Sequence, residues 1–158
     1  MCIGAALVSQ RSDDPDAGVD AARLIVDAVR AAGRDTGVSN ALAGVQLVAV
    51  AGGSWTYRNA PRLVAQAIGA TGARTHLIVP GVLQSGLFDR ALSAIARGQL
   101  DLAIVCGGEA KWRELRGHIT GAPGTVTDDA DAPLPDEVVQ RHGHLISPQE
   151  IARRMYDA

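Results

Sequence analysis

Four short apolar runs, each cut off by glycine, proline or polar turn residues, constrain this chain more than any other feature. They are Met1–Ser9 (MCIGAALVS), Val45–Ala51 (VQLVAVA), Thr75–Val79 (THLIV) and Asp101–Cys106 (DLAIVC). Runs of this length that stay apolar at successive positions predict strands covered on both faces. Segments of helical periodicity lie between them. Val19–Ala32 sets Ala22, Ile25, Val29 and Ala32 on one face, with Asp20, Arg23, Asp27, Arg30 and Arg34 on the other; Gly33 and Gly37 bracket its predicted end. Arg62–Ile68 is predicted as a short helix, capped by Asn59 with Pro61 in its first turn. Gln84–Arg97 is a third helix, with Leu87, Phe88, Ala91, Leu92 and Ile95 on one face and Gly98 as its stop. The alternation predicts an α/β fold, a mostly parallel sheet with helices on both faces (βαβαβαβ).

The pattern decays after Glu109, so the chain divides into a βα core over 1–110 and an irregular remainder over 111–158. Lys111–Arg116 reads as a helical turn or two, and Gly121–Pro135 as a polar surface loop. Asp136–Val139 reads as a short strand or turn. Ser147 and Pro148 open a last helix running through Tyr156.

Composition narrows the function classes. The 158 residues suit one domain, and 47% hydrophobic residues argue against disorder. A net charge of −2 and 3% aromatic residues make a poor nucleic-acid surface, for lack of both phosphate neutralisation and base stacking. Cys2 and Cys106 are too far apart in sequence for a disulfide scaffold or a zinc ribbon. No run approaches the roughly 18 apolar residues of a membrane span. Met1–Val8 carries no basic region and no cleavage site, so the expected location is cytoplasmic.

Few residues point to chemistry on their own. No G-x-G-x-x-G follows the first run, and neither a P-loop nor a G-x-S-x-G elbow is present. His142 and His144 have no third ligand in sequence, and Asp128, Asp129 and Asp131 lack the glycine and terminal glutamate of a calcium loop; no metal is expected. Cys106, inside an apolar strand, reads as a small buried hydrophobe rather than a nucleophile. Pro80–Gly86 (PGVLQSG) joins the third run to the third helix. In a parallel sheet this is the ligand edge, where free N–H groups favour an anion; an ordinary βα turn reads equally well.

Several segments together resemble the thiolase superfamily, in particular its actinobacterial thiolase-like group of acetyl-CoA acetyltransferases. ALSAIARGQLDLAIVCGGEA matches a family pattern at Ala91, Ala94, Ile95, Gly98, Asp101, Gly107, Gly108 and Glu109. GSWTYRNAPRLVAQAIGATGARTHLI, the opening IGAALVSQRSDDPD and the tail GHLISPQEIAR are similar to segments of the same group, in the same order. The resemblance implies a fold of two βαβαβαββ halves and an acyltransferase acting on acyl-CoA. The first half of such a protein carries a nucleophilic cysteine at the βα turn before a long buried helix, and the second half supplies a histidine and a second cysteine.

Alignment on Ile95, Gly98 and Asp101 puts the nucleophile position at Gly81. No catalytic residue is therefore expected, and the sequence matches only the first half. Two functions follow: a family member shortened to its N-terminal half without its nucleophile, or a non-catalytic subunit that binds acyl-CoA or stabilises a partner. Expected ligand contacts are Gly81, Val82, Leu83, Gln84, Ser85 and Gly86, with Trp55 and Tyr57 from the preceding loop. No cofactor is expected beyond a CoA thioester as ligand. The resemblance also implies pairing of subunits through the third strand, here His76, Leu77, Ile78 and Val79, giving a homodimer or a complex with a complementing chain. A flavodoxin-like nucleotide-binding domain also fits the strand and helix count, without a phosphate-binding glycine loop to support it.

Overall fold

The protein is described by a computed structural model over residues 1–14, 16–80, 84–122 and 124–140. The elements run α1 (Ala21–Asp35), a 3-10 turn (Ala41–Gly44), β1 (Leu47–Ala51), α2 (Ala60–Ala67), β2 (Arg74–Ile78), α3 (Ser85–Ala96), β3 (Ala103–Gly107), α4 (Lys111–Thr120) and β4 (Glu137–Val139). The four strands form one sheet in the order β3-β1-β2-β4, and every neighbouring pair is parallel. The expected α/β architecture is present.

β1 and β2 are the interior strands, and the alternation of β1 divides the core. Val48 and Val50 face α1 and α2, where they pack with Ile25, Val29 and Val64. Leu47 and Ala49 face the opposite side and pack with Ile78, Leu87, Ala91 and Leu100 under α3. Val48 and Val50 are wholly buried, each worth about 1.5–3 kcal/mol in apolar burial.

Local chemistry sets the helix ends. The Asp20 side chain accepts from the Arg23 N–H at 2.9 Å and caps α1. Asn59 does the same for α2 through the Arg62 N–H at 3.0 Å. Gly33, expected to stop α1, lies inside it. A side chain there would meet Leu42 Cγ at 2.7 Å, so the glycine makes room for the 3-10 turn to pack. The helix stops after Asp35, with Gly37 at φ +68° beyond it.

The first apolar run is not a strand. Met1 is 96% exposed and Leu7 is 92% exposed, and the segment lies outside the sheet. Its Ala5 N–H donates to Asp35 at the end of α1 at 2.9 Å, and just beyond the run the Gln10 side chain accepts at 2.8 Å from the Val19 N–H, which precedes α1. An apolar run becomes a strand only beside a ladder partner, and among the described residues it has none.

The fourth strand comes instead from Glu137–Val139, which pairs with β2. The loop leading to it is stitched down: Asp20 accepts from the Thr127 N–H, Asp129 from the Asn59 N–H, and the Pro133 carbonyl from the Asn59 side chain. Asp136 then accepts from both the N–H and the hydroxyl of Thr75, each at 2.7 Å. The edge pairing expected of His76, Leu77, Ile78 and Val79 therefore finds that edge taken. His76, Leu77 and Ile78 lie opposite Glu137, Val138 and Val139, and the Val79 N–H donates to Val139.

α4 is longer than the expected Lys111–Arg116. α3 buries only Leu87 and Ala91; Phe88 and Leu92, expected on the same buried face, are 55% and 50% exposed. His142, His144 and the predicted helix through Tyr156 lie outside the described residues.

Candidate ligand-binding site

The strand order fixes where a ligand can sit. From β1 the chain moves to β2 on one side, then crosses back to β3 on the other. Because all four strands are parallel, the loops after β1, β2 and β3 leave at one carboxyl edge, the side on which open parallel sheets bind ligands. A cleft of about 410 Å³ opens there. Gly52 and Gly53 line it from the β1 side, Cys106 through Glu109 from the β3 side, and Gln84, Leu87 and Phe88 from α3.

A hollow of about 590 Å³ lies at the other edge of the sheet, between the end of α1 and the 3-10 turn, lined by Arg30, Arg34, Asn40 and Leu42 among others. It is the larger space but the weaker candidate. It lies among helix ends and the 3-10 turn, and no strand residue lines it.

Two loops that follow Gly-Gly pairs build the cleft mouth. The Glu109 carboxylate accepts from the Ser54 N–H at 2.7 Å and from the Ser54 hydroxyl at 2.9 Å. The Trp55 indole donates to the Gly108 carbonyl at 2.9 Å. The loop after β1 is thereby bolted to the loop after β3. Gly53 is required for this closeness, since a Cβ there would stand 2.4 Å from Trp55 Nε1 and 2.5 Å from Glu109 Oε1.

Of the expected contacts, Gln84 lines the cleft. It sits at the start of α3, whose N-cap makes no side-chain hydrogen bond; within the first turn the Leu87 N–H donates to the Gln84 carbonyl at 3.0 Å. Ser85 is exposed, and neither it nor Gly86 is part of the cleft wall. Gly81, Val82 and Leu83 lie outside the described residues. Trp55 serves the loop junction rather than the cleft wall. Tyr57 is turned away: it is buried, its hydroxyl accepts from the Ala22 N–H at 3.3 Å, and its ring packs 5.1 Å from that of Trp55. Burial, with Asp20 beside it, pushes the Tyr57 hydroxyl up to about 12.

The residues that sequence reading missed as a site are Gly52, Gly53 and Ser54, together with Gly107, Gly108 and Glu109. Their signal was present in the chain, because a Gly-Gly pair follows an apolar strand twice, at positions 52–53 and 107–108.

The cleft favours binding over covalent chemistry. Cys106 packs into the core on the α1 side, its thiol lies 3.8 Å from the Ala49 carbonyl, and burial pushes it up to about 12. A thiol held so high is not a nucleophile near neutral pH. Glu109 is already engaged by Ser54. Among the described residues no group of three or more His, Cys, Asp or Glu could hold a metal ion, and no helix is long and apolar enough to cross a membrane.

No family model, no curated protein and no solved structure matches this chain.

Proposed function

We propose that this protein is a thiolase-like chain that binds a CoA thioester in the cleft between the β1 and β3 ends without taking the acyl group. One observation carries the reading: Cys106, a part-buried residue of the cleft wall, packs against the core on the α1 side with its thiol 3.8 Å from the Ala49 carbonyl, and burial pushes that thiol up to about 12. The sequence adds that the position aligned with the family nucleophile is Gly81, which has no side chain to attack a thioester. The cleft supports binding through its place at the carboxyl edge of the sheet, its Gly-Gly walls that let a ligand approach the backbone, and Gln84 at the start of α3. The resemblance at Ala91 through Glu109 supplies the ligand class. A reducing, cytoplasmic location fits the exposed free thiol of Cys2.

The test uses the full chain and acetyl-CoA. Intact-mass analysis should show no acetyl adduct at any residue, while calorimetry should show saturable binding. A stoichiometric adduct would restore the acyltransferase reading, and the absence of binding would remove the CoA reading.

A further inference from the structure

We infer that the hollow between the end of α1 and the 3-10 turn is a second binding site, one for an aliphatic monocarboxylate held by Arg34. The inference does not rest on the CoA reading. The hollow sits by the turn that feeds the amino end of β1, whereas the cleft lies at the carboxyl ends. Arg30 and Arg34 line it from one face of α1, a turn apart, and Ser39 and Asn40 line it from the loop that follows. The side chains of Arg34, Ser39 and Asn40 have no hydrogen bond or ion pair among the described residues. No acidic side chain among those residues lines the hollow. The helix ends do not oppose an anion there, because their carbonyls are already engaged. Ala32 and Gly33 accept from the N–H and the hydroxyl of Thr36, Arg34 accepts from the Gly37 N–H, and Ala67 accepts from the Arg30 guanidinium.

Charge and shape select the ligand. Arg30 donates to the Ala67 carbonyl at 2.9 Å and stands 4.0 Å from the Asp27 carboxylate. Arg34 is therefore the cation of the hollow that nothing in the described chain offsets. One such charge matches a monoanion better than a phosphate dianion. Its guanidinium fork fits a carboxylate through two parallel hydrogen bonds, and the Ser39 hydroxyl and Asn40 amide add uncharged donors. The remaining wall is aliphatic. Val38 is 60% exposed, and Leu42 and Ile68 are half-buried beside it. Among the described residues no aromatic ring lines the hollow, so nothing there stacks a base or a planar ligand. A volume of about 590 Å³ has room for a chain of several carbons.

An amide chemical-shift titration of the full chain with sodium hexanoate, in the absence of CoA, tests this. Saturable shifts are expected at Gly37, Val38, Ser39 and Asn40, with half-saturation on the order of 1 mM. Sodium acetate should bind at least about tenfold more weakly, since each buried CH2 is worth roughly fourfold. Hexanol, which keeps the chain without the charge, and inorganic phosphate should each bind more weakly than hexanoate. Arg34→Gln should weaken hexanoate by about tenfold or more. Arg34→Lys should also weaken it, because a point charge does not replace the fork. Val38→Ser should weaken hexanoate and leave acetate unchanged. Both positions are exposed, so the circular dichroism spectrum of each variant should match the wild type. The absence of saturable shifts would overturn the proposal, as would shifts centred on Gly52 and Gly107 of the cleft. So would phosphate or hexanol binding more tightly than hexanoate, acetate matching hexanoate, or a response indifferent to Arg34→Gln. CoA takes no part in this experiment, so none of these results counts against the CoA reading.

Discussion

Ser54 grips Glu109 with both of its donors, the backbone N–H at 2.7 Å from Oε1 and the hydroxyl at 2.9 Å from Oε2. The pair spans the mouth of the cleft and holds the loops after β1 and β3 at a fixed separation. Because it is solvent-exposed, Glu109→Ala should cost only about 1 kcal/mol of stability. It should weaken CoA binding more than that, since the cleft walls are then free to part. Urea unfolding and calorimetry on the same variant measure the two effects, and unchanged affinity would show that the clamp does not shape the site.

Gly53 has no room for a methyl group, with Trp55 Nε1 at 2.4 Å and Glu109 Oε1 at 2.5 Å from a Cβ built there. Gly53→Ala should destabilise the fold by about 1–3 kcal/mol. It should also break the Trp55–Gly108 hydrogen bond, shifting the tryptophan emission. A variant with wild-type stability and emission would show that the loops yield without cost.

Much of this arrangement was legible before any coordinates. The runs at Val45–Ala51, Thr75–Val79 and Asp101–Cys106 became β1, β2 and β3 because burial on both faces leaves a continuous apolar signature. Met1–Ser9 carries the same signature and stayed outside the sheet, since apolarity reports a tendency to be covered and not a ladder partner. Asp136–Val139, read as a short strand or turn, became β4 over Glu137–Val139. Its grip on β2 comes from Asp136 on Thr75 and from Glu137 on Arg90 and His76, contacts between residues far apart in sequence that no local pattern reveals. The cleft was half legible. The turn before α3 was identified, but the strand order that moves the crevice to β1 and β3 is a property of the folded sheet.

Stability should fall in two steps on acidification. Burial holds His76 below its ordinary 6.5, Arg74 and Arg90 push the same way, and Glu137 and Asp136 pull against them. Its buried Nδ1 has no hydrogen-bond partner among the described residues. The unfolded chain therefore binds this proton before the folded one does, and stability declines as the pH drops below 6.5. The second step lies below 3.8, the ordinary value of two aspartates held lower in the fold. Burial works to raise Asp20, but the bonds from Thr127, Arg23 and Tyr57 outweigh it; the Thr75 hydroxyl and N–H lower Asp136. Urea midpoints across the acid range should show both steps, and His76→Leu should erase the first. A first step that survives the substitution would assign it to another group.

On the alkaline side, burial raises both the Cys106 thiol and the Tyr57 hydroxyl to about 12, from ordinary values of 9.0 and 10.0. The unfolded chain releases these protons first, so stability should fall as the pH rises from 9 toward 12. A disulfide reagent at mildly alkaline pH should label exposed Cys2 at once and Cys106 only as the chain unfolds. Rapid labelling of both would contradict the neutral thiol on which the binding reading rests.

The most direct test of that reading is an amide chemical-shift titration of the full chain with CoA. The largest shifts are predicted at Gly52, Gly53, Gly107 and Gly108, together with Gln84 at the start of α3. Shifts centred instead on Arg30, Arg34 and Leu42, or no shifts at saturating ligand, would contradict a CoA site at the carboxyl ends of β1 and β3.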